Sequence, residues 1–162
     1  MLYAHTPREG SDEWHGLEEH LREVSRLAGE HAGAFGAADL ARWIGAYHDG
    51  GKASPAFQAY LQMCRLEPDR KHKTTDHKGA GTWAAQRAFQ PLAFVINGHH
   101  GGLRDKAELG TVLKEIGSDG QRIEDYRRTR RGATAASRLT SLPCSAAPSP
   151  NPELRPDVSE IP

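Results

Sequence analysis

The chain has 162 residues, of which 37% are hydrophobic and 7% aromatic, so it is long enough for one domain with a modest core. Basic and acidic residues number 21 each, which gives a formal net charge of zero. This balance argues against a protein that holds nucleic acid by bulk positive charge. No apolar run approaches the length of a membrane span, so we expect a cytoplasmic protein with no membrane partner.

The first half of the chain carries the apolar periodicity of helices. Apolar residues recur at three- and four-residue steps between about 13 and 32, which predicts an amphipathic helix with His20 on its buried face. A second apolar stripe over residues 40 to 47 extends to His48, and Asp49 lies at the break before two glycines. The residues predicted to point inward are Leu17, Leu21, Val24, Leu27, Ala28, Leu40, Trp43, Ile44 and Tyr47.

Two further helices are predicted from their capping residues. Ser54 precedes a proline, as expected of an N-cap and a first helical turn, and opens a third helix. Thr75 or Asp76 can cap a fourth helix that runs to about residue 89. This start places His77 in the first turn of the fourth helix.

The remainder of the chain divides into a last helical part and a tail. Residues 92 to 96 form a short apolar run that fits either a buried helical turn or a strand. Asp105 can cap a helix with Leu109 and Ile116 inward, and nothing else resembles a strand, so the predicted fold class is all-α. Alanine, serine and proline dominate after residue 131, which predicts a folded domain over 1–131 and a disordered tail over 132–162.

Five histidines and one aspartate form an ordered series along these elements: His20, His48, Asp49, His77, His99 and His100. Imidazole and carboxylate groups together hold divalent transition metals, so the series is typical of a two-metal hydrolytic centre. The two oxygens of Asp49 can each face a different metal. His99 and His100 are adjacent, and the glycines on both sides of the pair let both rings turn towards one centre.

Other polar residues are interpreted more simply. Lys52 follows Asp49 by three residues and can hold a phosphate as a point charge, although an ordinary exposed lysine is the simpler interpretation. A single histidine on an apolar face is more often a core residue than a ligand. The four remaining histidines are interpreted as surface or packing residues: His5, His15, His31 and His72.

Several motifs together resemble a known family. They are Tyr3-Ala4-His5, Leu17 to Leu21 with His20, His48-Asp49-Gly50-Gly51-Lys52, Pro55-Ala56-Phe57-Gln58-Ala59-Tyr60-Leu61, Asp76-His77-Lys78-Gly79-Ala80-Gly81 and Gly98-His99-His100-Gly101-Gly102-Leu103. From residue 3 to about 105 the chain resembles the HD nuclease domain of CRISPR-associated type I interference proteins. The His-Asp pair is common to all HD proteins, whereas the double histidine and the Phe-Gln-Ala-Tyr-Leu stretch are typical of this branch.

The resemblance implies an HD-domain helical bundle that hydrolyses single-stranded DNA with two divalent metal ions. It implies one ion held by His20, His48, Asp49 and a later aspartate. It implies a second ion held by Asp49, His77, His99 and His100, with Asp49 bridging and Lys52 near the substrate phosphate. Imidazole-rich ligation favours manganese, iron, cobalt or nickel over magnesium. The implied partners are a helicase motor and an RNA-guided surveillance complex.

The chain also departs from the family pattern. The two candidates for the late aspartate, Asp125 and Asp157, lie in a charged segment and in the proline-rich tail. We therefore expect a truncated or frame-altered copy that lacks its last helices and one metal ligand. Two alternatives stay open: an HD phosphohydrolase that acts on nucleotides, and a catalytically inactive remnant that only binds a partner.

Overall fold

Helices make up most of the part of the chain that the structure, a computed structural model, describes: residues 1–73, 75–121, 124 and 127. In chain order the elements are β1 (Tyr3–His5), β2 (His15–Gly16), α1 (Leu17–Gly33), α2 (Ala38–Tyr47), a 3-10 turn (Gly50–Ala53), α3 (Pro55–Leu66), α4 (Gly79–Ala88), α5 (Pro91–Gly98) and α6 (Lys106–Ser118). The predicted all-α class is confirmed, and residues 92–96 belong to a helix. The predicted boundary at residue 131 and the tail 132–162 lie outside the described residues.

The caps of α3 and α6 confirm the sequence prediction. Ser54 Oγ accepts a hydrogen bond from the Phe57 backbone N–H at 3.2 Å, and Pro55 occupies the first turn. Asp105 accepts from the Glu108 N–H at 2.8 Å, while the Glu108 carboxylate accepts from the Asp105 N–H at 3.1 Å. This reciprocal pair is a capping box, so α6 begins where the sequence predicts.

Two predicted element starts are wrong, and two short strands were missed. The segment before Leu17 is extended rather than helical: β2 pairs antiparallel with β1, with Tyr3 opposite Gly16 and an irregular register. Helix α4 begins at Gly79, because the Asp76 carboxylate accepts from the N–H groups of Lys78 and Gly79 and forms a turn ahead of the helix. His77 lies in this turn and not in α4.

The core lies where α4, α5 and α6 meet the end of α2. Its buried residues are Ala85, Leu92, Ala93, Ile96 and Leu109, and the side chains packed against them are Trp43, Ile44, Tyr47, Phe94 and Leu113. Leu27 and Leu40 were predicted to point inward but are 39% and 45% exposed. Helices α1 and α2 approach each other closely at Gly45, where an added Cβ would lie 2.7 Å from Ser25 Cα. At this point the two helices meet through small residues, and both leucines remain exposed.

Within the described residues, none of the helices is both long and apolar enough to cross a membrane.

Candidate metal centre

Asp49 lies at the middle of the candidate site, at the turn between α2 and the 3-10 turn. Its side chain is 3% exposed, and its two oxygens have different neighbours. Oδ2 lies 3.1 Å from His20 Nε2, 3.2 Å from His48 Nε2 and 2.9 Å from Lys52 Nζ. Oδ1 lies 3.3 Å from His99 Nε2, 3.7 Å from His77 Nε2 and 3.9 Å from His100 Nε2.

The six residues of the predicted series thus converge in two groups that share Asp49. One group is His20, His48 and Asp49, and the other is Asp49, His77, His99 and His100. In each group, one potential ligand atom per residue lies within 4.8 Å of all the others. These are the groups that the family resemblance implies, apart from the late aspartate. Both candidates for that residue, Asp125 and Asp157, lie outside the described residues.

In three of the rings, Nδ1 faces a backbone carbonyl, so Nε2 is the nitrogen left to face Asp49. Nδ1 of His48 donates to the Gly45 carbonyl at 2.8 Å, and Nδ1 of His99 donates to the Ile96 carbonyl at 2.6 Å. Nδ1 of His77 is 3.4 Å from the Thr75 carbonyl. A neutral ring with its proton on Nδ1 has a bare Nε2, and a bare nitrogen cannot donate to a carboxylate.

A proton or a metal ion between each Nε2 and Asp49 would resolve this conflict. His77 Nε2 is buried and, among the described residues, has no hydrogen-bond partner. Rings that donate one N–H to a backbone carbonyl while the other nitrogen faces a carboxylate have the usual arrangement of metal ligands. The residues present therefore fit a bound divalent metal.

The electrostatics favour a charged Asp49 and neutral rings at His77 and His100. Burial raises the pKa of the Asp49 carboxyl, but hydrogen bonds with His20, His48 and His99 outweigh burial and hold this pKa far below its usual range. Burial lowers the pKa of both His77 and His100, in each case against the attraction of Asp49. A permanent negative charge beside imidazoles that resist protonation suits a cation-binding site.

Lys52 is buried, so the interpretation of this residue as an ordinary exposed lysine is wrong. Its side chain is 5% exposed, and its ammonium forms an ion pair with Asp49 Oδ2. The ammonium also lies 5.7 Å from the centre of the Phe57 ring. Among the described residues it is the lysine placed within this group of side chains, so it neutralises part of the Asp49 charge.

Two glycines shape the loops around Asp49, one because it leaves space for a neighbouring loop and one because of its backbone dihedral angle. An added Cβ on Gly51 would lie 2.1 Å from the His77 carbonyl oxygen, so the loop that carries His77 can approach only a glycine. Beyond α5, Gly102 has φ +80°, which returns the chain after the double histidine. The rings of the two histidines, His99 and His100, lie side by side with centroids 4.1 Å apart.

Two amides hold the site together and were not assigned a role from the sequence. Gln58 Nε2 donates to the carbonyls of Tyr3 and Lys52 at 2.9 and 2.7 Å, and its Oε1 accepts from the Tyr3 N–H at 3.0 Å. Asn97 is buried, donates to Thr82 Oγ1 at 3.4 Å and accepts from Arg104 Nε at 2.9 Å. Gln58 lies inside a motif that carries the resemblance and Asn97 immediately precedes another, but a glutamine or asparagine alone gives no sign of its partners.

His5 and His15 were interpreted as surface or packing residues, yet the structure brings both to His20. The three rings have centroids 5.1 to 5.5 Å apart, and one potential ligand nitrogen of each lies within 4.8 Å of the other two. Burial, followed by the nearby Lys52 charge, lowers the pKa of His5 to about 4. His31 and His72 lie outside all three ligand groups that the described residues form.

Comparison with known proteins gives one family. A search of the curated proteins finds no match. The family model described as "Cas3, HD domain" matches residues 4–159, which include every residue of the two ligand groups. HD domains bind divalent metals, in agreement with the donor set around Asp49. Because the match spans nearly the whole sequence, the chain belongs to the Cas3 HD-domain family of type I CRISPR nucleases.

Proposed function

We propose that this chain is a two-metal nuclease that hydrolyses phosphodiester bonds of single-stranded DNA in CRISPR defence. The observation that carries the proposal is the buried Asp49 carboxylate with imidazole Nε2 atoms at both oxygens. Membership of the Cas3 HD-domain family supports a hydrolase of the nuclease type that acts on nucleic acid. In this proposal His20, His48 and Asp49 hold one ion, and Asp49, His77, His99 and His100 hold the other.

The chain's own residues have three roles in this proposal. Asp49 remains ionised and would supply a ligand to each of the two groups. His48 and His99 keep Nε2 available because their Nδ1–H groups donate to backbone carbonyls. Bound divalent ions would supply an activated water and neutralise charge on the phosphate. Lys52, on its flexible stem, can leave Asp49 Oδ2 and hold a phosphate oxygen of the substrate.

The metal preference follows from the donor atoms. The two groups contain five imidazoles and one carboxylate. Manganese, iron, cobalt and nickel accept such a set, whereas magnesium favours oxygen ligands. The exposed ring of His100, with 54% of its side chain accessible, marks the side from which a substrate can reach the centre.

The net charge of the chain and its membership of the Cas3 HD-domain family support a single-stranded substrate and external partners. A formal net charge of zero gives little attraction to duplex DNA. We therefore propose that a helicase motor and an RNA-guided surveillance complex deliver unwound DNA to this chain, which then acts in the cytoplasm.

The test is a cleavage assay on the purified chain with labelled single-stranded DNA, duplex DNA and a panel of nucleotides, each with added Mn²⁺. We expect cleavage of single-stranded DNA that EDTA abolishes. Asp49→Asn should lower the rate by about 1000-fold or more, because it removes a ligand from both groups. Asp39→Asn is the matched control, since that carboxylate is exposed and pairs with Arg42.

Two outcomes would contradict the proposal. Release of phosphate from nucleotides with intact DNA would favour an HD phosphohydrolase. Equal cleavage by the Asp49→Asn and Asp39→Asn variants would show that the activity does not come from this centre.

A further inference from the structure

We propose that His5, His15 and His20 form a third divalent-cation site beside the Asp49 centre, selective for Zn²⁺-like ions. The three residues come from three elements: His5 ends β1, His15 begins β2, and His20 lies in the first turn of α1. His5 and His15 are paired across the two strands, and the ring of His20 meets both edge-on.

The arrangement has the features of a ligand set rather than of a packing cluster. One ring nitrogen from each residue lies within 4.8 Å of the other two. Within the part of the chain that the structure describes, no hydrogen bond occupies a ring nitrogen of His5 or His15. His5 is exposed and His15 is half-buried, so an ion can enter from solvent.

The donor chemistry separates this site from the Asp49 centre. Its three donors are all imidazoles, and no carboxylate belongs to the group. A set of imidazoles alone suits zinc, copper and nickel, whereas manganese is better suited to a set that includes a carboxylate, such as the one around Asp49. Three protein ligands also leave a fourth position of a tetrahedral ion open to water or to a phosphate oxygen.

The shared residue couples the third site to the proposed nuclease centre. His20 Nε2 lies 3.1 Å from Asp49 Oδ2, and His20 also belongs to the group with His48 and Asp49. A neutral imidazole carries a proton on one of its nitrogens, so it can bind only one ion at a time. An ion held by His5, His15 and His20 therefore competes with the ion held by His20, His48 and Asp49.

The binding test isolates the third site by removing ligands from the other two groups. The double variant Asp49→Asn/His99→Asn leaves only two imidazoles in each of those groups and leaves the third group intact. We expect this variant to bind about one Zn²⁺ per chain by calorimetry and elemental analysis. Adding His15→Asn should abolish that binding, whereas adding His31→Asn, in the last turn of α1, should not.

This test does not depend on catalytic activity, and circular dichroism of each variant checks that it is folded. Absence of Zn²⁺ binding by the folded double variant would overturn the proposal. Unchanged binding after His15→Asn would overturn it equally. A second measurement uses the otherwise unaltered chain: Co²⁺ should give visible absorption bands that His15→Asn weakens and His31→Asn does not, and equal spectra would count against the site.

The competition itself rests on the proposed function and is tested separately. Zn²⁺ added to a Mn²⁺-dependent cleavage reaction should inhibit the unaltered chain. His15→Asn should raise the inhibitory Zn²⁺ concentration by more than about 10-fold, since loss of even an outer partner of a metal site has an effect of that order. Equal inhibition of both proteins would refute competition through His20. If the chain has no nuclease activity, the proposed function is wrong. The Zn²⁺ binding test would still show whether the third site exists.

Discussion

The ion pair between Asp49 and Lys52 allows a quantitative test of the site in the absence of metal. Nζ of Lys52 lies 2.9 Å from Asp49 Oδ2, and the two side chains are 5% and 3% exposed. Asp49→Asn removes the carboxylate that accompanies this buried ammonium, and Lys52→Met removes the ammonium. The double variant removes both charges, so the three proteins and the unaltered chain form a double-mutant cycle.

The expected energies follow from burial and distance. At 2.9 Å with an effective dielectric constant of about 20, the attraction is about 6 kcal/mol before desolvation. The strongly lowered pKa of Asp49 indicates that its surroundings stabilise the charged form more than water does. Asp49→Asn should therefore destabilise the metal-free fold by about 3–5 kcal/mol. Lys52→Met should cost less, because His20 and His48 stay within 3.2 Å of Asp49 Oδ2 and can still form hydrogen bonds with the carboxylate.

Denaturant unfolding at neutral pH in EDTA measures these free energies. We expect a coupling energy of about 3 kcal/mol, within the range of close charge pairs. Asp39 and Arg42 form the matched control, since their atoms are 2.8 Å apart but their side chains are 69% and 42% exposed. Their cycle should give about 0.5 kcal/mol. Equal coupling energies for the two pairs would refute the argument from burial.

Three further predictions concern the parts that support the site. Gly51→Ala should destabilise the fold by about 1–3 kcal/mol and weaken Mn²⁺ binding, because its Cβ would meet the His77 carbonyl. Thermal melts and Mn²⁺ titrations measure both effects. Gly110→Ala is the control and should show neither effect, because an added Cβ there has no neighbour within 4 Å. Gln58→Leu should lower the free energy of unfolding by about 2–3 kcal/mol in denaturant unfolding, because it removes the hydrogen-bond partner of three backbone groups. A decrease smaller than the one caused by the same substitution at an exposed glutamine would contradict this. Since burial lowers the pKa of His77 and His100 below 6.5, the unfolded chain binds more protons than the folded chain as pH falls through that value. Melting temperatures of the metal-free protein should thus fall from about pH 7.5 to 5.5, and a flat profile would be inconsistent with those shifts.

The sequence predicted the elements whose signals are local. Ser54 with Pro55, and Asp105 with Glu108, are short motifs that determine the starts of α3 and α6 through hydrogen bonds within one turn. The ordered histidines around Asp49 likewise predicted which side chains meet, because their spacing matches a known family. Their roles as metal ligands remain a prediction.

Features that depend on distant partners could not be predicted. Strand β1 is held by β2 and by the amide of Gln58, 55 residues away from Tyr3. This pairing brings His5 and His15 to His20, which no periodicity in the sequence indicates. The burial of Lys52 follows from its contact with Asp49 and Phe57 in the folded chain. Gly51 allows the close approach of His77, a contact that the sequence around Asp49 does not indicate.

In the proposed nuclease, Asp49 joins two cation sites. Anomalous diffraction from crystals soaked in Mn²⁺ tests it most directly, because it locates the ions without reference to activity. We expect the strongest peak between Asp49 Oδ1 and the rings of His77, His99 and His100, where four potential ligands meet. We expect a second peak at Oδ2, about 3.5–4 Å from the first. Crystals that bind Mn²⁺ elsewhere but show no peak bonded to Asp49 would contradict the account.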